Sequence, residues 1–254
     1  MRTAWRAGLL ALAWLVAAVP ARAEQALVAV AANFTETARA LQTRFEQSGE
    51  HTLILTPGST GRLYAQIRHG APFDVFLAAD TVTPQRLEAE GSTVAGSRFT
   101  YAIGRLALWS AGRPDPDQTL ETRLRLGQYR NIAIANPALA PYGAAGRAAL
   151  EALGLWTQAQ GKLVTGESIA AVQAMLATGN ADLGFVPLAQ FAGSDRPDAV
   201  QYWEVPPGLH PPIRQDAVLT VHGEDNAAAR AWLDFLASEA AQAIIRAHGY
   251  EVAP

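Results

Sequence analysis

Short apolar runs alternate with amphipathic segments along most of the chain. Residues 26–32 (ALVAVAA) form a near-continuous apolar run, which is typical of a strand buried on both faces. Apolar residues then recur at helical spacing, at Phe34, Ala38, Leu41 and Phe45. Further strand-like runs occupy residues 52–56, 74–79, 131–135 and 181–186. Strands that alternate with helices predict an α/β protein with mostly parallel sheets flanked by helices.

Two longer β-type stretches interrupt this alternation. Residues 101–109 (YAIGRLALW) and 216–222 (DAVLTVH) lack a short turn into a helix. We interpret them as two crossover strands that join two lobes, each with its own sheet. On this interpretation residues 24–102 and 217–254 form lobe one, and residues 103–216 form lobe two.

The first 23 residues have the pattern of a cleaved secretory signal. Arg2 and Arg6 precede an uncharged, mostly apolar run at residues 7–19, and an A-x-A motif ends at Ala23. The run is shorter than the roughly 20 residues that a membrane-spanning helix needs. We therefore expect residues 1–23 to be a signal peptide and the mature protein to reside in the periplasm.

Composition and charge exclude several classes of protein. With 50% hydrophobic and 17% charged residues, the 254-residue chain is not a disordered polymer. Loss of the signal peptide removes three arginines and no acidic residue, which lowers the formal net charge by three, from -3 to -6. This balance argues against nucleic-acid binding through a broad basic surface. Because there is no cysteine, disulfides, thiolate zinc sites and cysteine nucleophiles are excluded.

Candidate chemistry lies at four junctions where a predicted strand meets a helix. Each junction places small, hydroxyl or amide side chains and free backbone N–H groups at a helix N-terminus, which favours an anion. The junctions are 32–33, 58–61, 141–143 and 167–169, two in each predicted lobe. Only the second has a basic neighbour, Arg62. Any one junction alone is an ordinary capped helix start, with Asn33 and Ser168 as capping residues, but together they predict a small anion held by neutral donors between the lobes.

The mature chain resembles a known family over almost its whole length. The stretches that carry the resemblance are AVAANFTETA, GSTGRLYAQIRHGAPFDVFLAAD, NIAIANPALAPYGAAGRAAL, GESIAAVQAMLATGNADLGFVPLAQ and IIRAHGY. They look like those of periplasmic molybdate-binding proteins, the receptors of ABC-type molybdate importers. The resemblance implies the two-lobed type II periplasmic-binding-protein fold, molybdate or tungstate as the ligand, and the importer's membrane permease as a partner. We expect a monomer with no cofactor, no catalytic residue and no bare metal ion.

The resemblance also implies a set of ligand-binding residues. Backbone or side-chain donors would come from Ala32, Asn33, Ser59, Thr60, Tyr142 and Ile169. Of these, Tyr142 would contribute its phenol, and Thr60 and Ile169 their backbone N–H groups. Many relatives carry Tyr where this chain has Pro187, so no side-chain contact is carried over to that position.

Other functions stay open at this point. One alternative is that this fold binds another oxyanion such as sulfate, thiosulfate or phosphate, because net charge cannot separate these anions from molybdate. A secreted hydrolase with Ser59 as nucleophile is a remote alternative, since Gly58-Ser59-Thr60-Gly61 is not the G-x-S-x-G elbow. Nucleotide-binding glycine motifs are absent from the sequence, and the five histidines lack metal-ligand spacing.

Overall fold

The computed structural model describes residues 24–47, 49–112, 117–191 and 201–252. The predicted signal peptide, residues 1–23, lies outside the described residues. In the described part of the chain, no helix is both long and apolar enough to cross a membrane.

Strands and helices follow one another largely as the apolar runs predict. The strands in the described residues are β1 (Gln25–Ala31), β2 (Thr52–Gly58), β3 (Val75–Leu77), β4 (Phe99–Gly104), β5 (Leu106–Ser110), β6 (Ile132–Ala135), β7 (Leu163–Gly166), β8 (Leu183–Pro187), β9 (Gln201–Glu204) and β10 (Ile213–Leu219). The α-helices there are α1 (Thr35–Glu46), α2 (Thr60–Arg68), α3 (Val82–Ala89), α4 (Leu120–Arg125), α5 (Pro141–Ala152), α6 (Trp156–Gln160), α7 (Ile169–Ala177), α8 (Ala227–Ala237) and α9 (Glu239–Ala247).

These strands form two five-stranded sheets. The first has the order β2-β1-β3-β10-β4, and the second has the order β7-β6-β8-β5-β9. In the first sheet β1 runs parallel to β2 and β3, whereas β10 runs antiparallel to β3 and β4. The second sheet repeats this arrangement, with β6 parallel to its neighbours and β5 antiparallel to its own. The predicted two-lobed α/β fold is confirmed, and each sheet proves to be mixed because the crossover strands enter antiparallel.

The chain passes from the first sheet to the second at one residue. Only Arg105 separates β4 from β5, so the stretch predicted as a single crossover strand is two strands in different sheets. The return follows β9, and β10 lies wholly in the first sheet. Ile103, Gly104 and residues 213–216 therefore pair in the first sheet, whereas the predicted boundaries assigned them to lobe two. The position at which the lobes divide otherwise stays a prediction.

Arg105 also connects the two passages between the sheets. Its guanidinium donates to both carboxylate oxygens of Glu204, at 2.8 and 2.6 Å. Glu204 is the last residue of β9, so this fork lies where the chain enters and leaves the second sheet. A bidentate pair of this kind fixes relative orientation as well as distance.

Each sheet is covered on both faces by apolar side chains. In the first sheet, Phe34 and Trp232 pack on one face and Phe76 on the other, all fully buried. The second sheet has a core around Leu108 and Phe185. Burying a side chain of this size stabilises the fold by about 1.5–3 kcal/mol. Each sheet therefore has its own apolar packing, and the cleft lies between the two sheets.

Candidate functional site

All six predicted binding residues line one small cavity between the two sheets. It is small, since the centre of a water-sized sphere can occupy about 10 Å³ of it. Its lining consists of Ala31, Ala32, Asn33, Ser59, Thr60, Ala79, Ala140, Pro141, Tyr142 and Ile169. None of these described lining residues carries a charged side chain. The four junctions that the sequence singled out are therefore brought together, although their role in binding stays a prediction.

The lobes meet directly beside this cavity. The backbone N–H of Gly61, in α2, donates to the carbonyl oxygen of Leu139 at 2.9 Å. A Cβ atom on Gly61 would lie 3.1 Å from Leu139 Cα, so the two backbones approach closely because Gly61 has no side chain. The structure is thus a closed form in which the two lobes touch at the edge of the cavity.

Three helices begin at the cavity wall. Helix α2 starts at Thr60, α5 at Pro141 and α7 at Ile169. The first-turn N–H groups of a helix have no partner within the helix and carry partial positive charge. Three such ends around one small space create an electropositive site without any basic side chain.

The side chains of Ser59 and Thr60 have different hydrogen-bonding roles at the start of α2. The Ser59 side chain does not cap the helix, although it is buried and precedes its first residue. Thr60 is occupied elsewhere, since its Oγ1 accepts a hydrogen bond from the Ala79 N–H at 3.0 Å. Ser59 therefore keeps a hydroxyl for the cavity, whereas Thr60 has only its backbone N–H to offer.

Asn33 is held differently from the sequence prediction. It lies in the 3-10 turn Ala32–Phe34, and α1 begins at Thr35 without a side-chain cap, so the predicted capping role is wrong. Its Nδ2 instead donates to Gln215 Oε1 at 2.8 Å and to the Tyr250 hydroxyl at 3.3 Å. The Tyr250 hydroxyl in turn donates to the Asn33 carbonyl at 2.7 Å. A residue of β10 and one near the C-terminus thus hold Asn33 at the cavity.

Ser168 caps α7 as predicted. Its Oγ accepts a hydrogen bond from the Ala171 N–H at 3.4 Å. The hydroxyl is therefore used inside the helix and does not line the cavity. The backbone N–H of Ile169, one residue further on, stays at the cavity wall.

Tyr142 lines the cavity, and its hydroxyl is buried. That hydroxyl lies beside the Tyr250 hydroxyl and the Gln215 amide but makes no well-formed hydrogen bond among the described residues. Burial raises the pKa of Tyr142 well above its usual value. Burial also raises the pKa of the neighbouring Tyr101 and Tyr250 phenols. All three phenols therefore keep their protons at neutral pH and remain hydrogen-bond donors.

The chemistry needed for hydrolysis or for a metal ion is missing around Ser59. No His, Asp or Glu is among the described residues that line the cavity, so the Ser59 hydroxyl meets no general base there. Glu167 and Arg62 lie with Ser59 on the outer rim of the cleft. Across the described residues, no cluster of three or more His, Asp or Glu could hold a metal ion.

Sequence reasoning missed the second layer of the site. Asn33 contacts Gln215 and Tyr250, and Gln215 also contacts Tyr101. The two residues in each of these contacts are 114 to 217 positions apart in the sequence. No local motif marks such residues. Their only signal was a polar Gln and two Tyr in otherwise apolar strand or terminal segments.

Comparison with known proteins identifies the family of the chain. Residues 26–251 match the family described as bacterial extracellular solute-binding protein. The chain is 48% identical to the molybdate-binding protein ModA of Azotobacter vinelandii, over 96% of this chain and 94% of that protein. It is 45% identical to ModA of Rhodobacter capsulatus, over 96% of both chains. Among solved structures, the periplasmic molybdate-binding protein of Azotobacter vinelandii superposes with a TM-score of 0.85 and 38% identity, covering 90% of this chain and 100% of that one.

Proposed function

This chain belongs to the bacterial extracellular solute-binding protein family, and we propose that it is a periplasmic receptor that captures molybdate and delivers it to an ABC importer. Relatives named for molybdate binding align over nearly the whole chain. The observation that carries the proposal is the composition of the cavity, which offers hydrogen-bond donors and no charged side chain.

A tetrahedral dianion suits such a cavity. All four oxygens of molybdate accept hydrogen bonds at neutral pH, so a matching site supplies donors only. A hydrogen bond to a charged group contributes about 1.5–3 kcal/mol, roughly twice that of a neutral pair. Several such bonds, together with three helix N-termini, support submicromolar binding after the cost of association.

We assign the donors according to which hydrogen-bond donor groups of each residue are not already used within the protein. Ser59 offers its hydroxyl and backbone N–H, and Tyr142 offers its phenol. Thr60 and Ile169 offer backbone N–H groups. Both Asn33 Nδ2 hydrogens are directed at Gln215 and Tyr250, so at the first junction we expect the backbone around Ala32 and Asn33 to contribute most.

Size and protonation separate molybdate from competing anions. Sulfate has the same charge and shape but shorter bonds, so donors fixed on two closed lobes reach its oxygens less well. Phosphate that retains a proton needs an acceptor, and the described lining has no carboxylate. Tungstate has the same geometry and charge as molybdate, and we expect it to bind as well.

Several further features belong to the same proposal. Residues 1–23 act as a cleaved signal peptide, and the mature protein works in the periplasm as a monomer. Its net charge of -6 follows from the loss of three arginines with that segment. The ABC importer's membrane permease is the partner that receives the anion.

Isothermal titration calorimetry of the mature protein with molybdate, tungstate, sulfate and phosphate tests this function. We expect tight 1:1 binding of molybdate and tungstate, with sulfate and phosphate weaker by about a hundredfold or more, or about 2.7 kcal/mol. The same titrations at raised salt serve as a control for weak surface binding of anions. Equal affinity for sulfate, or no heat with molybdate, contradicts the proposal.

A further inference from the structure

Two buried polar groups beside the cavity lack hydrogen-bond partners. They are the Tyr142 hydroxyl and Gln215 Nε2, each without a partner among the described residues. Gln215 is 0% exposed and Tyr142 is 1% exposed. An unpaired buried polar group costs about 1–3 kcal/mol, so two such groups in one place call for an explanation.

The two groups lie beside each other, both against Gly104. A Cβ atom on Gly104 would lie 2.0 Å from Tyr142 Oη and 3.0 Å from Gln215 Nε2. Gly104 does not have a positive φ, so a glycine is not needed here for the backbone conformation. It is needed because a side chain would not fit. Tyr142 comes from α5, over the second sheet, whereas Gln215 comes from β10 of the first. Gly104 thus leaves the room in which the two lobes bring these groups together.

The other end of the Gln215 amide is firmly oriented. Its Oε1 accepts hydrogen bonds from Asn33 Nδ2 at 2.8 Å and from the Tyr101 hydroxyl at 3.3 Å. The Tyr101 hydroxyl also lies 3.0 Å from the Ala78 carbonyl. The Gln215 oxygen is thus held by Asn33 and by a Tyr101 hydrogen that it shares with the Ala78 carbonyl. The amide therefore directs its nitrogen to the other side, which is the side of Tyr142.

We propose that Gln215 is a positioning residue for the anion site, acting through Tyr142 and Asn33. Both the Gln215 amide and the Tyr250 hydroxyl lie beside the Tyr142 hydroxyl. When the anion is bound, Gln215 Nε2–H donates to the Tyr142 oxygen, so the phenol's single hydrogen turns away from Tyr250 and toward the anion in the cavity. Its Oε1 holds Asn33 at the opposite wall. One side chain thereby orients a donor residue of each lobe, and the bond to the anion is strengthened because hydrogen bonds in a chain polarise one another. This inference rests on the proposed function.

A double-mutant cycle with molybdate as the probe tests the coupling. Calorimetry compares the wild type, Gln215→Met, Tyr142→Phe and the double variant. We expect Gln215→Met to weaken binding about tenfold in the wild type. In the Tyr142→Phe background the same change should weaken binding by about threefold or less, because the phenol that Gln215 orients is gone.

Two further variants separate positioning from a structural role. Gly104→Ala places a methyl group against Tyr142 Oη and Gln215 Nε2, and we expect it to weaken binding about tenfold as well. It reports on the same contact if Gln215→Met does not fold. Thr93→Val is the matched control, since Thr93 Oγ1 is also buried without a partner among the described residues but lies outside the cavity lining. Its affinity should equal that of the wild type.

The outcomes are distinct. Wild-type affinity of Gln215→Met or of Gly104→Ala overturns the proposal, and so does an equal loss from Gln215→Met in both backgrounds. A wild-type chain that binds no molybdate overturns the proposed function together with this inference. Normal molybdate binding without coupling between Gln215 and Tyr142 overturns the inference alone.

Discussion

The Tyr142 hydroxyl is a buried polar group that is better placed to bind a ligand than to stabilise the fold. It lies beside the Tyr250 hydroxyl and the Gln215 amide without a well-formed hydrogen bond among the described residues, so it adds little to the stability of the ligand-free protein. Burial raises its pKa well above the usual value, so it stays a donor throughout the physiological range. Ser59 is similar, since its hydroxyl caps no helix. Both groups are positioned for something other than the fold.

At this scale we predict that Ser59→Ala and Tyr142→Phe each weaken molybdate binding by about 1.5–3 kcal/mol, or roughly 10- to 150-fold. Each should lower the melting temperature of the ligand-free protein little, because the Tyr142 hydroxyl has no well-formed hydrogen bond among the described residues and the Ser59 side chain caps no helix. Calorimetry and thermal unfolding measure the two quantities.

Ser168→Ala provides the opposite pattern as a control. It removes the cap of α7 and should reduce stability by about 1 kcal/mol with a smaller effect on affinity. Unchanged affinity in both Ser59→Ala and Tyr142→Phe would rule out the donor assignment.

At the scale of elements, the position of α5 depends on close contact with β6. A Cβ atom on Gly143 would lie 2.0 Å from the Ala135 carbonyl oxygen, which belongs to the backbone and cannot move aside easily. Gly143 is the third residue of α5 and follows Tyr142 directly. The helix start is therefore pressed against the end of the strand, and this contact fixes where the phenol points.

We predict that Gly143→Ala destabilises the protein by about 1–3 kcal/mol and also weakens molybdate binding, because α5 has to shift away from β6. Chemical unfolding and calorimetry check the two effects. Gly161→Ala is the control, since a Cβ there meets nothing within 4 Å and the backbone has no positive φ. Wild-type stability of Gly143→Ala would show that the helix position is not constrained in this way.

Local patterns predicted the elements and the first layer of the site, and long-range contacts decided the rest. The apolar runs located most strands, and the junctions at Asn33, Ser59, Tyr142 and Ile169 were identified because helix starts have local signatures. The predicted capping role of Asn33 is wrong because its side-chain amide donates a hydrogen bond to Gln215, which is 182 positions away in the sequence. The stretch at 101–109 was interpreted as one strand because nothing in its apolar pattern marks the turn at Arg105.

At the scale of the whole molecule, the two lobes close on each other through backbone atoms. The Gly61 N–H and the Leu139 carbonyl lie 2.9 Å apart, with no side chain between them. Such a contact depends on the absence of a Cβ atom on Gly61. Closure is therefore sensitive to a single glycine that touches neither core.

We predict that Gly61→Val weakens molybdate binding by about 1–3 kcal/mol, since its side chain would meet Leu139 and hold the lobes apart. Small-angle scattering with saturating molybdate should show a less compact form than the wild type. Gly61→Ala, which adds a single methyl group at 3.1 Å, should give an intermediate affinity. If Gly61→Val binds as tightly as the wild type, closure at this point is not needed for binding.

The backbone contact at Gly61 also affects how long a bound anion stays in the cavity. An anion enclosed beside it leaves only after the lobes separate, so its residence time depends on how often the protein opens. The ion pair of Arg105 and Glu204 joins the two passages at the second sheet, so both passages lie at one place when the lobes part. Anions that fill the cavity equally well would then be released at similar rates, and an importer that parts the lobes would set the moment of release.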